Sequence, residues 1–138
     1  MSKKDLFHEA VKIALQKDGW TITDDPLLLE YAQTRVRVDL GAERLILANR
    51  DKEQIAIEIK SFLGASAIND FHLALGQYLN YDYLLELSGS TRLLYLAIPR
   101  DTFDDFFTTP FAQKTIDRYQ IRLIVYDPIR QEIIKWKK

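Results

Sequence analysis

The pattern of apolar and polar positions predicts two long amphipathic helices. Apolar residues recur at helical spacing over residues 5–17, and Gly19 stands where a glycine commonly follows a helix end. A second helix is predicted over about residues 67–87, with Ser66 as a residue that can cap its first turn. The segment between residues 27 and 34 shows no clear period, and we expect it to be irregular or briefly helical.

Strands are predicted where apolar residues alternate with polar ones or form short continuous runs. Residues 36–40, 45–48 and 54–60 are predicted to form a three-stranded β-meander, with turns at Gly41-Ala42 and at residues 49–52. Other segments complete the pattern: strands over residues 20–23, 93–98, 121–126 and 132–136, and helices over residues 102–107 and 111–119. This order predicts an α/β fold with a central mixed β-sheet flanked by helices.

Two charged residues interrupt the strand that should be the most buried. Ile55, Ile57 and Ile59 alternate with Glu58 and Lys60. Residues two apart in a strand project from the same face, so Glu58 and Lys60 are expected to lie roughly 7 Å apart along the chain. Such a pair is either a buried ion pair, which often adds little net stability, or part of a reactive site.

Composition limits the possible functions. A chain of 138 residues with 47% hydrophobic and 28% charged residues fits one soluble domain over residues 1–138. Cysteine is absent, and no apolar run approaches the roughly 20 residues of a membrane span, so we expect a cytoplasmic protein with no membrane contact. The net charge of −1 argues against a chain that binds DNA tightly by itself. DNA contact would then depend on a local patch, on metal ions or on a partner protein.

The acidic residues near the predicted meander suggest a metal site. Asp39, near the end of one strand, and Glu58, on another, can together hold Mg²⁺ or Mn²⁺ through carboxylate oxygens, and the carbonyl of Ile59 can add a further ligand. Lys60 reaches the same space, where its ammonium group can stabilise negative charge on a phosphate. His8 and His72 have no second His or Cys at ligand spacing, so we expect packing histidines rather than zinc ligands.

This arrangement resembles the PD-(D/E)xK nuclease superfamily and its restriction-endonuclease-like fold. Asp39 matches the first acid of that motif, Glu58 the second and Lys60 the lysine. Val38 stands where a proline sometimes precedes the first acid. The resemblance implies a catalytic set of Asp39, Glu58 and Lys60 with Mg²⁺ as cofactor.

Two further positions resemble accessory residues of the superfamily. Glu9, on the first predicted helix, is similar to the helix-borne acid of some branches and is a candidate fourth metal ligand. Solvation on the helix flank explains Glu9 equally well. Gln77 and Tyr81 resemble the Gln-x-x-x-Tyr motif of the RecB-like branch, in which Gln77 would orient a water or Lys60. Alternatively, Gln77 fills a polar gap near the sheet, and Tyr81 packs in the core.

Over nearly its whole length the chain resembles the XisH family, the cyanobacterial proteins described as fdxN element excision controlling factors. The segments that carry the resemblance are residues 4–8, 17–20, 38–43, 56–62, 74–78 and 121–126. The resemblance implies a role in programmed DNA excision, in which a separate site-specific recombinase cuts and rejoins the DNA. It also implies a small partner protein of the XisI type. The oligomeric state is left open, with a homo-oligomer among the alternatives.

Two functions therefore remain as alternatives. The first is an accessory factor of DNA excision that is also a Mg²⁺-dependent endonuclease acting with its small partner. The second is a non-catalytic interaction module with a nuclease-like fold that regulates a recombinase complex. A near-neutral chain depends on a partner in either case.

Overall fold

Helices and strands follow one another in an order typical of an α/β fold. The computed structural model describes residues 2–46 and 51–138. The helices of this part are α1 (Lys3–Lys17), α2 (Ala67–Leu87), α3 (Arg100–Thr102) and α4 (Pro110–Tyr119), with a π-helix at Phe103–Phe107. The strands are β1 (Thr21–Asp24), β2 (Leu27–Tyr31), β3 (Thr34–Val38), β4 (Leu40–Ile46), β5 (Asp51–Ile59), β6 (Leu93–Pro99), β7 (Leu123–Asp127) and β8 (Glu132–Lys137).

A six-stranded sheet forms the centre of the molecule, with the strand order β1-β4-β5-β6-β7-β8. The pairs β5–β6 and β6–β7 are parallel, whereas β1–β4, β4–β5 and β7–β8 are antiparallel. The predicted central mixed sheet is thereby confirmed. The parallel strands β5, β6 and β7 lie in the interior of the sheet, where both faces can be covered.

Both faces of the sheet are buried. On one face, Ile55 and Ile57 pack in a cluster that includes Ala10 and Val11 of α1. On the other face, Ala56 packs in a cluster that includes residues of α2 and α4. Because side chains of a strand alternate between faces, Glu58 lies on the face covered by α2.

The two long helices begin and end close to the predicted residues. α1 begins two residues before its predicted start, because Ser2 and Asp5 form a capping box. It ends before Gly19, whose φ of 89° lies in the left-handed region that favours glycine. α2 covers Ala67–Leu87, as predicted, and begins after the N-cap Ser66. No helix in the described part of the chain is long and apolar enough to cross a membrane.

The prediction of irregular or helical structure over residues 27–34 is wrong. β2 and β3 form an antiparallel hairpin that makes a separate two-stranded sheet. Leu27, Leu29 and Val38 are buried and hold the hairpin against the α2 face of the main sheet. The turn contains Ala32 at a φ of 53°, and this alanine gives none of the glycine signal by which such turns are recognised.

The predicted meander is also wrong. β3 does not pair with β4 in the main sheet, because the chain leaves the hairpin at Asp39 and enters β4 at Leu40. Gly41 and Ala42 lie inside β4 rather than in a turn. A side chain at position 41 would meet Asp24 at 2.9 Å and Arg92 at 3.1 Å, so the glycine allows close approach rather than a turn. Residues 47–50, which belong to the predicted strand over 45–48 and the predicted turn over 49–52, lie outside the described residues. Asp51 and Lys52 belong to β5 rather than to a turn.

Candidate functional site

Asp39 and Glu58 face each other at the junction between the hairpin and the main sheet. Leu40, the first residue of β4, pairs with Ile57 of β5, which places Asp39 beside Glu58. The backbone amide of Asp39 donates a hydrogen bond to Glu58 Oε1 at 3.3 Å. In return, the backbone amide of Ile59 donates to Asp39 Oδ2 at 2.7 Å. This reciprocal pair of bonds fixes both carboxyl groups at the end of β5.

Lys60 joins the two acids, as the sequence spacing predicts. Its Nζ lies 3.4 Å from Glu58 Oε2, and its backbone amide donates to the carbonyl of Ala97 at 3.0 Å. The Glu58 side chain is 8% exposed and the Lys60 side chain 22% exposed. The structure therefore brings Asp39, Glu58 and Lys60 together, with Lys60 on the solvent side of the pair.

The electrostatic environment of Glu58 disfavours its ionised form. Burial and the negative charge of Asp39 raise the pKa of Glu58 to about 7, although Lys60 acts in the opposite direction. Burial, together with Glu58 and Asp39, also raises the pKa of Tyr81, and burial together with Asp39 raises that of Tyr126. A carboxyl group whose pKa is raised by burial and by a neighbouring acid is typical of functional sites.

A cleft of about 520 Å³ opens above these residues. Its floor contains Asp39, Glu58 and Lys60. Its walls come from α1, from the loop between β5 and α2, and from the first turns of α2. These wall residues are Lys4, Asp5, Phe7, His8, Ser61, Phe62, Leu63, Gly64, Asp70 and Leu73, with Ile59 completing the lining.

Glu9 is not brought together with the other acids. It does not line the cleft, its side chain is about half exposed, and its ion-pair partner is Lys12 at 3.9 Å. Glu9 follows His8, which does line the cleft, but successive residues of a helix point in different directions. The placement matches solvation on the helix flank, the alternative reading of Glu9 from the sequence.

Gln77 lies on the helix face that borders the cleft without lining the cleft itself. It follows Leu73 by one helical turn, and its Oε1 atom is buried without a hydrogen-bond partner in the described part of the protein. Tyr81, one turn further, is near enough to Asp39 and Glu58 for both to raise its pKa. Gln77 thus lies between the cleft wall and Tyr81, with an unpaired acceptor.

Several cleft residues are not predicted from the sequence. His8 is expected to be a packing residue, but it lies on the cleft wall with its Nε2 2.7 Å from Asp25 Oδ1. Lys12 Nζ lies 2.9 Å from the other oxygen of Asp25. His72, also expected to pack, is exposed. The contact between His8 and Asp25 joins residues 17 positions apart, and no local pattern in the sequence signals it.

The donor set suits a hard divalent cation. Asp39 and Glu58 supply carboxylate oxygens side by side, and a divalent cation would offset the repulsion that raises the pKa of Glu58. Within residues 2–46 and 51–138, no group of three or more His, Asp and Glu side chains is placed to hold a metal ion. Asp39 and Glu58 are thus the two carboxylates of the cleft floor that could hold such an ion.

Comparison with known proteins identifies the family. A family model described as XisH protein matches residues 1–134. The chain belongs to the XisH family. Two solved structures share its fold and much of its sequence. An XisH family protein from Nostoc punctiforme PCC 73102 is 41% identical, with a TM-score of 0.88, over 97% of this chain and 100% of that one.

The second solved structure is of a protein whose name describes a role in excision. It is an fdxN element excision controlling factor protein from Anabaena variabilis, 42% identical, with a TM-score of 0.88, over 97% of this chain and 99% of that one. A search of curated proteins gives no match. The family and the fold are thus established by sequence and by structure together.

Proposed function

We propose that this XisH-family chain is a controlling factor in programmed excision of a DNA element, and that its cleft is a Mg²⁺-dependent nuclease site. The observation that carries the proposal is the convergence of Asp39, Glu58 and Lys60 on the floor of one cleft. The excision role is supported by the name of the Anabaena variabilis relative. The partner we propose is a small protein of the XisI type.

The order of elements supports a restriction-endonuclease-like fold. A helix precedes the sheet, the acids lie where β4 and β5 meet, and α2 and the parallel strand β6 follow. In the PD-(D/E)xK superfamily the first acid lies on one strand and the (D/E)xK triplet on the next. Asp39 and the segment Glu58-Ile59-Lys60 reproduce this arrangement, except that Asp39 stands just before β4 rather than within it.

Each residue of the floor has a distinct role in this proposal. Asp39 and Glu58, with the carbonyl of Ile59, would hold Mg²⁺ or Mn²⁺. When bound, the ion supplies Lewis-acid stabilisation of the negative charge that develops on a phosphate. Lys60, which is partly exposed beside Glu58, places an ammonium group where a DNA phosphate enters the cleft. The backbone amide of Ile59 keeps Asp39 oriented by donating to its Oδ2 atom.

The excess of acidic residues in the cleft indicates that DNA binding requires a divalent cation or a partner protein. Among the described lining residues there are four carboxyl groups, from Asp5, Asp39, Glu58 and Asp70, against Lys4, Lys60 and His8. Such a lining repels phosphate until some of the negative charge is offset. A divalent cation at Asp39 and Glu58, or basic residues of a partner protein, would supply that charge.

One observation favours a second function. The polar groups of the site bind one another, since Lys60 pairs with Glu58 and the backbone amide of Ile59 donates to Asp39. A network of this kind can fix the conformation of neighbouring segments without taking part in chemistry. The second candidate is therefore a non-catalytic nuclease-like module that regulates a recombinase complex through its surface.

A cleavage assay tests the first proposal against the second. The full chain, alone and with its small partner, is incubated with DNA in Mg²⁺ or Mn²⁺, and Lys60→Ala is compared with Lys52→Ala. Lys52 is a matched control because it lies on the same strand, paired with Glu43 and outside the cleft. The nuclease proposal predicts that Lys60→Ala lowers cleavage at least about 100-fold and Lys52→Ala changes it little. Absence of cleavage under every condition would reject it in favour of the regulatory module.

A further inference from the structure

Two leucines in the cleft are exposed although they are large and apolar. Leu63 is 49% exposed and Leu73 is 60% exposed, and both line the cleft whose floor contains Asp39 and Lys60. The cleft therefore has a charged floor, and these two leucines form an apolar part of its wall. An occupant that fits both surfaces combines an apolar group, which contacts the leucines, with a phosphate, which reaches Lys60 once a divalent cation offsets the charge of Asp39 and Glu58.

We propose that the cleft takes one unpaired nucleotide of a DNA strand, with its base against Leu63 and Leu73 and its phosphate beside Lys60. This inference rests on the proposed nuclease function, for which it names the substrate class. The volume of about 520 Å³ lies within the range of about 300–1,000 Å³ typical of pockets for small organic ligands, and a single nucleotide is a ligand of that size. A base within a continuous duplex has both faces covered by its neighbours, so it cannot lie against the leucines.

The apolar wall is held in place by the loop between β5 and α2. Phe62 has a φ of 53°, an uncommon conformation for a residue other than glycine, and its ring packs edge-on against Phe107 at 5.4 Å. Two residues further on, the backbone amide of Gly64 donates to Asp70 Oδ2 at 3.0 Å. Leu63 lies between these two attachments, so its exposure in the cleft follows from a fixed loop conformation.

The second leucine belongs to α2 and is equally fixed. Leu73 lies one turn after Asp70, on the helix face that borders the cleft. Ala74, the next residue, is buried in the core and anchors that turn of the helix. The backbone of both leucines is thus held by packed neighbours, and a surface positioned before a base binds favours binding.

The test compares three DNA probes with the full chain and its complex with the small partner. Ca²⁺ replaces Mg²⁺ so that binding is measured without cleavage. The probes are a fluorescein-labelled oligothymidine, the same strand as a flap on a duplex, and a blunt duplex. The proposal predicts that the single strand and the flap bind at least about tenfold tighter than the blunt duplex, because one base gains contact with the wall.

Substitutions test whether the preference for unpaired DNA over blunt duplex arises in the cleft. The double variant Leu63→Ser, Leu73→Ser is expected to reduce the preference for unpaired DNA to about twofold or less. Leu79→Ser is the matched control, because Leu79 is an exposed leucine of α2 outside the cleft, and it should leave the preference unchanged. Both leucines are largely exposed, so the double variant should fold, and its urea denaturation curve checks this.

The outcomes separate this inference from the proposed function. Equal binding of blunt duplex and flap, or a preference that survives the double substitution, would overturn the nucleotide site even if Mg²⁺ supports cleavage. A preference that the double substitution removes, with no cleavage in Mg²⁺ or Mn²⁺, would support the nucleotide site and reject the nuclease. Absence of DNA binding by the chain and by the complex would overturn both.

Discussion

The backbone amide of Asp39 donates a hydrogen bond to Glu58 Oε1 at 3.3 Å, while burial and the negative charge of Asp39 raise the pKa of Glu58. Glu58 is the more buried of the two residues. The stability of the protein should therefore depend on pH through this residue.

We predict that the wild-type protein loses stability as pH rises from about 4.5 to about 7 through the titration of Glu58. The pKa of Glu58 is raised from 4.5 to about 7, so in this window the folded state binds more protons than the unfolded state, and its free energy of unfolding falls as pH increases. The full effect corresponds to at most about 3 kcal/mol. Urea denaturation at pH 5 and pH 8 measures it.

The variant Glu58→Gln isolates this contribution, because other groups also titrate in the same range. It should be close to the wild type in stability at pH 5 and more stable than the wild type at pH 8. Glu9→Gln, which changes an exposed glutamate on α1, serves as the control and should follow the wild type at both values. A Glu58→Gln variant that is less stable than the wild type at pH 8 would mean that its pairing with Lys60 outweighs burial and Asp39.

Substitution by alanine should change the stability of the protein in opposite directions at Gly76 and Gly64. Gly76 lies within α2, and a Cβ there would meet nothing within 4 Å, so Gly76→Ala should stabilise the protein by about 0.5–1 kcal/mol through helix propensity. At Gly64 a Cβ would lie 2.7 Å from Asp70 Oδ1, so Gly64→Ala should destabilise by about 1 kcal/mol as Asp70 moves. Thermal unfolding of both variants checks the pair, and stabilisation by Gly64→Ala would contradict the fixed loop.

Tyr78 joins α2 to β6 and to the residue before β7, on the face that carries Glu58. Its hydroxyl donates to the carbonyl of Leu94 at 3.2 Å and accepts from the backbone amide of Arg122 at 3.0 Å. Tyr78→Phe leaves both buried groups without this partner and should cost about 1–3 kcal/mol of stability. Tyr83→Phe, at an exposed tyrosine of the same helix, should change stability by less than about 0.5 kcal/mol. Equal effects in urea denaturation would count against this role.

Arg92 connects strands at the other end of the sheet. Its guanidinium donates to the carbonyls of Ala42 at 3.2 Å and Ile55 at 2.8 Å, and it pairs with Asp24 at 3.2 Å. Arg92→Lys keeps the charge but cannot reproduce the fork of donors, so a loss of about 1–3 kcal/mol is expected. The exposed Arg37→Lys is the control, and calorimetric unfolding of the two variants gives the comparison.

The acids of the site could be predicted because strand geometry is local and regular. Glu58 and Lys60 are two residues apart in a strand with clear alternation, so the sequence alone predicts that their side chains project from the same face. The sequence also predicts Asp39 beside them, through a neighbouring strand. The structure has Asp39 beside Glu58, although the predicted meander is wrong. The pairing of Leu40 with Ile57 needed only the β4–β5 hairpin.

The rest of the cleft depends on tertiary packing that leaves no local signal. His8 contacts Asp25 because α1 packs beside β1, which Asp25 directly follows. The β2–β3 hairpin turns at Ala32 without a glycine. Leu63 and Leu73 read as ordinary apolar residues, and only the structure places them in the same cleft as Lys60. Glu9 shows the opposite case, in which a residue at a suitable position on a helix points away from the site.

The central claim is that Asp39 and Glu58 together bind a divalent cation, and calorimetric titration of Mg²⁺ into the wild-type chain tests it most directly. Binding should be about tenfold tighter at pH 8 than at pH 6, because the ion needs the ionised form of Glu58, whose pKa is about 7. Asp39→Asn and Glu58→Gln should abolish the binding heat, whereas Glu9→Gln should preserve it. No Mg²⁺ binding at pH 8, or equal binding by Asp39→Asn and the wild type, would contradict the claim.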